Sequence, residues 1–223
     1  GHTDSELPYN NIVGLNENGA TLHYQYKSFD KPDEHRSLLI DAGAEFDGYA
    51  SDITRTWGNG DTRFSDLVNA VDKEQQALAA KVKNGTDYRD LHLECHLRLA
   101  SVLKALDIVD MDTSSMMEAG ITATFFPHGL GHPIGLQVHD VAGFAADESG
   151  AMIPKPNGHP YLRMTRTLAP GMVVTIEPGI YFIPTLLAKL KQSKHSPQVN
   201  WRNVEHLSQF GGVRIEDEVH CTK

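Results

Sequence analysis

The chain has 223 residues, of which 40% are hydrophobic, and a formal net charge of −9 at pH 7. This length and composition indicate one large globular domain, and the negative charge argues against nucleic acid or an acidic membrane surface as a partner. The two cysteines, Cys95 and Cys221, are too few for a disulfide framework and indicate a reducing cytoplasm, and no apolar run is long enough to span a membrane.

Antiparallel strands are predicted for the first quarter of the chain. One pair of strands is expected around the turn Asn16–Gly19, which carries typical turn residues. A second hairpin, within residues 36–57, turns at Asp47-Gly48, a dipeptide that favours a two-residue loop.

The loop of the second hairpin determines where two aspartates lie. A two-residue loop at Asp47-Gly48 pairs Asp41 with Thr54, and Asp52 lies two residues from Thr54 on the same strand. Because side chains alternate along a strand, both carboxylates are expected on one face, diagonal to each other. The alternative is a solvated hairpin with two surface acids. The apolar run that directly precedes Asp41 favours burial.

Two amphipathic helices are predicted next. The first, which ends at Asn84-Gly85, has an apolar stripe of Phe64, Leu67, Val68, Val71, Leu78 and Val82. The second has an inner stripe of Leu91, Cys95, Leu99, Val102, Leu103 and Leu106. His92 and His96 are four residues apart on this helix, as in a zinc-binding pair. The stripe places them on the polar side of the helix, and we assign them no metal role.

A loop and further strands complete the chain. Residues 145–159 contain Gly and Pro without periodicity, which is typical of a loop. After Pro170-Gly171, apolar runs that end at Glu177 and Glu216 predict strands. The order of strands, then helices, then strands predicts an α+β fold with a largely antiparallel sheet.

Four acids and one histidine lie in or beside these apolar runs, and they are Asp41, Asp52, His132, Glu177 and Glu216. Carboxylates buried without partners are costly, so a group of them needs cations. Such an oxygen-rich set suits manganese, cobalt(II) or iron(II), and it differs from the thiolate ligands of a structural zinc site. Each acid alone is also typical of a salt bridge at a strand end. Together they indicate two divalent ions with water in the open positions, which is a hydrolytic site.

The histidines His128, His132 and His139 lie within twelve residues, with three glycines between them. Glycines let the backbone bend tightly, and a neutral imidazole is both a common metal ligand and a proton shuttle. A single histidine here would be compatible with a core residue. The three together indicate a functional site.

At these residues the chain resembles the catalytic domain of the pita-bread metallopeptidases, and within them the bacterial Xaa-Pro dipeptidases (prolidases), including the organophosphorus acid anhydrolases. The strings FFPHGLGH, GLQVHDV, TIEPGIYFI and FGGVRIED carry the resemblance, which extends over residues 9–219. It implies a pita-bread (creatinase/aminopeptidase-like) fold, with an antiparallel sheet and helices on one face.

The resemblance also implies roles for individual residues. In that family the five ligands hold two divalent ions, usually Mn²⁺, with Co²⁺, Zn²⁺ or Fe²⁺ as alternatives. His132 is the implied ligand because it lies seven residues before His139, as the family pattern requires. The implied catalytic residues are Glu177 as general base, His139 as a donor to the oxyanion, and His128. The implied substrate-binding residues are Tyr9, His23, Tyr88, Arg163 and Arg214.

The resemblance predicts a domain organisation. Residues 1–8 are expected to be a polar remnant and residues 9–223 the pita-bread catalytic domain. Relatives carry an N-terminal domain and a short C-terminal tail that this chain lacks. We therefore expect a truncated catalytic domain, with weak turnover by itself, from a parent protein that is a homodimer.

The implied function is metal-dependent hydrolysis of Xaa-Pro dipeptides in the cytoplasm, with a side activity on organophosphate esters. The expected partner is a small dipeptide, with no nucleic acid and no membrane. Two alternatives stay open. One is a pita-bread aminopeptidase of the Xaa-Pro or methionyl type, and the other is a non-catalytic pita-bread binding module.

Overall fold

The computed structural model describes residues 7–28 and 30–222, so most of the predicted polar segment 1–8 lies outside the described residues. Within them the strands are β1 (Ile12–Leu15), β2 (Ser37–Ala42), β3 (Glu45–Phe46), β4 (Tyr49–Ala50), β5 (Ile53–Gly58), β6 (Val173–Ile176), β7 (Gly179–Tyr181), β8 (Gly212–Arg214) and β9 (Asp217–His220). The α-helices are α1 (Thr62–Ala79), α2 (Tyr88–Ala105), α3 (Thr113–Glu118), α4 (Ile121–Phe125), α5 (Pro184–Lys191) and α6 (Trp201–Ser208).

Strand pairing is antiparallel wherever the structure describes it. β2 lies between β1 and β5, and the remaining pairs are β3 with β4, β6 with β9, and β7 with β8. A bridge between Thr54 and Glu216 joins the N-terminal strands to the C-terminal ones. α1 packs against β5, β6 and β8, and α2 packs against α1. The predicted α+β class with an antiparallel sheet is confirmed.

The predicted hairpin at Asp47-Gly48 forms as expected. Asp47 (φ 51°) and Gly48 (φ 83°) both adopt left-handed backbone conformations, as a type I′ turn requires. This turn sets the register in which Asp41 pairs with Thr54. Asp52 directly precedes β5, so the turn fixes both aspartates relative to each other.

The predicted second strand after Asn16–Gly19 is wrong. Residues 16–20 form a 3₁₀ helix, and residues 21–26 are not in a strand. β1 instead pairs with β2, more than twenty residues later. The Asn16 side-chain oxygen accepts hydrogen bonds from the backbone N–H groups of Arg36 (2.7 Å) and Ser37 (3.3 Å), which holds the start of β2 beside β1.

The two long helices begin at aspartate caps. Asp61 accepts a hydrogen bond from the Phe64 N–H (2.8 Å), and Asp87 accepts one from the Arg89 N–H (2.9 Å). α1 ends at Ala79, before the predicted stop at Asn84-Gly85. The Gly85 N–H donates to the Leu168 carbonyl (2.9 Å), so tertiary pairing takes this segment away from the helix.

The core lies between the helices and the sheet. Of the predicted stripes, Phe64, Leu67, Val71, Leu78, Val82, Leu91, Cys95, Leu99, Val102 and Leu103 are buried. His92 and His96 are each only 1% exposed, so their predicted position on a polar face is wrong. No helix in the described part of the chain is long and apolar enough to cross a membrane.

Candidate active site

The five predicted ligands come from five separate segments and line one cavity of about 950 Å³. Asp41 lies on β2, Asp52 before β5, His132 between α4 and β6, Glu177 between β6 and β7, and Glu216 between β8 and β9. Their convergence depends on the sheet, because each side chain lies on or beside the end of a strand or on the adjoining turn. A cavity of this size accommodates a small ligand.

His132 is held with one ring nitrogen toward the acids. Its Nδ1 lies 3.0 Å from the Pro133 carbonyl oxygen, which assigns the proton to Nδ1. Its Nε2 lies 3.6 Å from Asp52 Oδ2 and 3.7 Å from Glu177 Oε1. This tautomer leaves Nε2 as the ligand atom, with the two carboxylates beside it.

A glycine permits the close approach of the His132 segment to β6. The Thr175 N–H donates to the His132 carbonyl (2.9 Å), and the His132 N–H donates to Thr175 Oγ1 (3.0 Å). A Cβ at Gly131 would lie 2.1 Å from the Thr175 carbonyl oxygen. Any other residue at position 131 would push His132 away from the cavity.

The carboxylates oppose one another's ionisation. Burial, with the nearby charges of Asp52 and Asp41, raises the pKa of Glu177 to about 7, although His132 and Arg214 act against the rise. Burial and the charges of Glu177 and Asp52 hold the pKa of Glu216 well above its ordinary value. The site therefore favours a positive charge among these acids.

Tyr9 lies between the two aspartates. Its hydroxyl is 2.7 Å from Asp41 Oδ1 and 2.6 Å from Asp52 Oδ1. Burial raises the pKa of Asp41. Burial also acts to raise the pKa of Asp52, but the nearby His132 ring and the Tyr9 hydroxyl outweigh it and lower that pKa. One hydroxyl has one proton and cannot donate to both carboxylates at once, so one of the two Oδ1 atoms is left without this donor.

The donor set fits divalent metal ions. Ligand atoms of Asp52, His132 and Glu216 all lie within 4.8 Å of one another. Glu177 adjoins His132, and Asp41 shares the Tyr9 hydroxyl with Asp52. Carboxylate oxygens with one imidazole are suitable ligands for manganese, iron(II), cobalt or zinc.

Arg214 lines the cavity, but its guanidinium is buried and already bound. It donates from Nη2 to Asp41 Oδ2 (2.5 Å), from Nη1 to the Tyr181 hydroxyl (3.1 Å) and from Nε to Thr54 Oγ1 (3.1 Å). These bonds hold Asp41 in place and leave Arg214 little capacity for a substrate carboxylate.

Arg163 also lines the cavity and is exposed. No carboxylate of the described residues lies within ion-pair distance of it. Of the two predicted arginines, the geometry therefore favours Arg163 as the group that would meet a substrate carboxylate.

Three further histidines surround the ligands. His139 lies beside His132, with ring centroids 4.3 Å apart, and burial together with His132 lowers its pKa to about 4. Burial and Arg214 lower the pKa of His128 to about 3, and burial also lowers the pKa of His23. All three line the cavity as neutral imidazoles at neutral pH.

Tyr88 is not among the described residues that line the cavity, so the geometry does not favour its predicted substrate-binding role. The side chain is 0% exposed in the first turn of α2. Its hydroxyl donates to the Thr175 carbonyl (2.6 Å). Tyr88 is therefore a core residue that supports the strand leading to Glu177.

The sequence analysis missed Tyr181 and Thr54. The Tyr181 hydroxyl lies 2.8 Å from His128 Nε2 and accepts the bond from Arg214. Thr54 Oγ1 donates to Glu216 Oε2 (2.6 Å). Tyr181 is four residues after Glu177, so the alternation of side chains could have indicated a shared face. No local signal pairs Thr54 with Glu216.

Comparisons with known proteins agree with this geometry. The chain matches the model of metallopeptidase family M24 over residues 2–223. It is 53% identical over 223 residues to an Xaa-Pro dipeptidase of Xanthomonas oryzae pv. oryzae and to one of Stenotrophomonas maltophilia. These alignments cover 100% of this chain but 51% and 50% of the relatives. The chain thus spans about half the length of these relatives.

Solved structures show the same architecture. A substrate complex of an Escherichia coli aminopeptidase P variant aligns with a TM-score of 0.74 at 32% identity, covering 97% of this chain and 42% of that one. Pseudomonas aeruginosa aminopeptidase PepP aligns with a TM-score of 0.75 at 27% identity, covering 97% and 43%. A zinc-substituted product complex of the E. coli enzyme gives 0.72 at 30% identity, covering 97% and 42%. These likenesses confirm the predicted pita-bread fold.

Proposed function

The chain belongs to metallopeptidase family M24, and from this membership we propose that it is the catalytic domain of an Xaa-Pro dipeptidase. The observation that carries the proposal is that Asp41, Asp52, His132, Glu177 and Glu216 all line the same cavity. The chain is 53% identical along its whole length to an Xaa-Pro dipeptidase, which supports the proposed substrate class.

We propose that these five side chains hold two divalent ions, with manganese favoured by the oxygen-rich ligands. Such ions would polarise the scissile carbonyl and supply a water of lowered pKa. The Nδ1–H bond of His132 to the Pro133 carbonyl fixes the ligand tautomer, and the Arg214 bond fixes Asp41. Residues outside the ligand set thus hold the ligands in position before a metal binds.

Glu177 is the proposed general base. It borders the cavity beside His132 Nε2, where it would accept the proton of a water activated at the site. His139 is neutral at neutral pH and lies against His132, where it can donate to an oxyanion that develops at the substrate carbonyl. His128 is held by Tyr181 and completes the polar wall.

We propose that charged residues select the length of the substrate by binding both of its ends. The bond before proline has no N–H, so the substrate must be oriented through other groups. The free α-amine would face the acids, and the proline carboxylate would face Arg163 across the cavity. His23 lines the same cavity, and Tyr9 contacts Asp41 and Asp52 beside it. A third residue on the substrate would remove the carboxylate from its arginine.

The experiment compares Ala-Pro, Ala-Pro-Ala and Ala-Pro amide as substrates of a full-length protein that contains this chain, with bound metal counted in the same preparation. We expect Ala-Pro to have a kcat/KM at least tenfold above the other two. Equal cleavage of the tripeptide would replace the proposal with an aminopeptidase, the activity named for the similar solved structures. Bound metal without cleavage of any of the three peptides would indicate a binding module.

Several expectations belong to this proposal and stay predictions. They are the catalytic domain at residues 9–223, the homodimer of the whole protein, the cytoplasmic location and the side activity on organophosphate esters. The last follows from the same chemistry, since an activated water that attacks a carbonyl can also attack phosphorus.

A further inference from the structure

We propose that His92, His96 and His159 form a second metal site, which takes one zinc-class transition-metal ion outside the ligand set of the catalytic cavity. The proposal does not depend on the peptidase function. It arises from the burial of two helix histidines to which the sequence analysis gave no metal role.

The three rings form a compact cluster. His92 and His96 lie one turn apart on α2, and His159 approaches from the long loop before β6. The ring centroids are separated by 4.7 Å (His92–His96), 4.7 Å (His92–His159) and 4.6 Å (His96–His159). One nitrogen from each ring lies within 4.8 Å of the others. Two histidines at i and i+4 with a third from another segment are a common zinc-ligand arrangement.

One pair of ring nitrogens has a spacing close to that of a tetrahedral site. His92 Nε2 and His159 Nδ1 are 2.9 Å apart. Two nitrogens bound to one tetrahedral zinc at 2.0–2.1 Å are about 3.3 Å apart. A small separation of the two rings, with a rotation that turns both nitrogens toward one ion, would replace the ring-to-ring hydrogen bond with two metal bonds.

Neighbouring groups leave nitrogens for a ligand. His96 Nδ1 lies 2.9 Å from Thr122 Oγ1, which orients the ring and leaves Nε2 for a metal ion. His92 Nδ1 is buried and has no hydrogen-bond partner among the described residues. This nitrogen is not the one that faces His159, so an ordered water, and not the ion, would supply its partner.

The rings are in the protonation state that metals require. Burial lowers the pKa of His92 to about 2 and that of His96 to about 3, and it also lowers the pKa of His159. Neutral imidazoles coordinate without first losing a proton at neutral pH.

The two sites differ in their chemistry. Three imidazole nitrogens suit zinc, copper(II), nickel or cobalt, whereas manganese prefers the oxygen-rich catalytic set. The cluster is also reachable, because His159 is only partly buried while the two helix histidines are buried. Zinc is therefore expected at the histidine cluster even when the catalytic ligands are disabled.

The site would tie the wall of the substrate cavity to α2. Pro160, Tyr161 and Arg163 line the cavity and directly follow His159 in the chain. An ion shared with His92 would restrain this segment, which carries the arginine proposed to read the substrate. Metal binding here should therefore raise the melting temperature and reduce motion at Arg163.

The test counts zinc in a variant that cannot assemble the catalytic centre. We propose equilibrium dialysis of Asp52→Asn/His132→Ala protein against zinc, followed by metal analysis and X-ray absorption. The expected result is one zinc per chain with an imidazole-nitrogen shell. Adding His159→Asn should reduce the bound zinc at least tenfold. His35→Asn, the same change at an exposed histidine, should leave it unchanged.

Two results would overturn the proposal: no zinc in the double variant, or zinc retained after His159→Asn. Circular dichroism establishes whether each variant folds. If one does not fold, crystals of the unaltered chain soaked in zinc give the decision. An anomalous peak among the three rings supports the site, and its absence there overturns it. Loss of peptidase activity in any variant leaves this conclusion unaffected.

Discussion

Arg214 donates a hydrogen bond to Asp41 over 2.5 Å, although the two residues are 173 positions apart in the chain. This pair joins β8 to β2 in the wall of the cavity. Because the guanidinium and the carboxylate are both buried, each is the principal counter-charge of the other until a metal binds. Arg214 therefore has a structural role, whereas Arg163 is the arginine proposed to bind the substrate.

The first prediction concerns these arginines. Arg214→Gln should lower the free energy of unfolding by about 3–5 kcal/mol, since it leaves Asp41 buried without its partner. Arg163→Gln should change stability by less than about 0.5 kcal/mol but raise KM for Ala-Pro at least tenfold. Urea unfolding and steady-state kinetics measure the two effects. If only Arg214→Gln raises KM, Arg214 and not Arg163 binds the substrate carboxylate.

The second prediction concerns metal content. Asp52→Asn should lose at least one of two manganese ions, because it removes a ligand that lies between His132 and Tyr9. Plasma emission analysis of dialysed protein measures the stoichiometry. Asp66→Asn, at an exposed position on α1, is the control and should keep both ions. Unchanged metal in Asp52→Asn would remove this residue from the ligand set.

The third prediction separates two histidines whose rings are in contact. His132→Ala should lose metal, since its Nε2 points between two carboxylates. His139→Ala should keep metal and lose about two to three decades of kcat, the usual effect of removing one oxyanion donor. The assays need an active protein that contains this chain. Equal metal loss in both variants would make His139 a ligand as well.

The fourth prediction tests whether Tyr88 is a core residue or a substrate-binding residue. Tyr88→Phe removes the bond to the Thr175 carbonyl but preserves the ring, so it should cost about 1–3 kcal/mol of stability. KM for Ala-Pro should stay within a factor of two, because Tyr88 does not line the cavity. A large rise in KM with unchanged stability would restore the substrate role.

Local signals predicted the parts of the site that depend on nearby residues. The Asp47-Gly48 turn set the register of Asp41 and Thr54, and the glycines around His132 indicated close packing. Contacts between distant segments had no such signal. The bond from Thr54 to Glu216 spans 162 positions and exists only because the terminal strands meet.

The same limit explains the errors. The helical stripe of α2 predicted its core face, but it could not show that α4 and the loop before β6 cover the opposite side. Phe126 directly follows α4, and its ring centroid lies 5.0 Å from that of His96. The ring centroid of His159 lies 4.6 Å from that of His96. Both contacts come from segments that the sequence alone could not place, so two histidines predicted for the polar side of the helix are buried.

The last prediction concerns acid stability and uses His92. Burial lowers its pKa from 6.5 to about 2, so the folded chain keeps it neutral while the unfolded chain protonates it below pH 6.5. The unfolded state therefore binds more protons, and the stability that this residue contributes is present above pH 6.5 and is lost as the pH falls.

At pH 5 this loss amounts to about 2 kcal/mol relative to pH 7.5. His92→Leu should remove this loss. The free energy of unfolding of the variant minus that of the unaltered chain should therefore be about 2 kcal/mol more positive at pH 5 than at pH 7.5. Urea unfolding with a chelator present measures all four free energies. His35→Leu, at an exposed position, is the matched control and should show no such difference. The prediction fails if the difference in free energy of unfolding between variant and unaltered chain is the same at both pH values. That result would show that His92 is protonated in the folded state, or that the unfolded chain leaves it neutral.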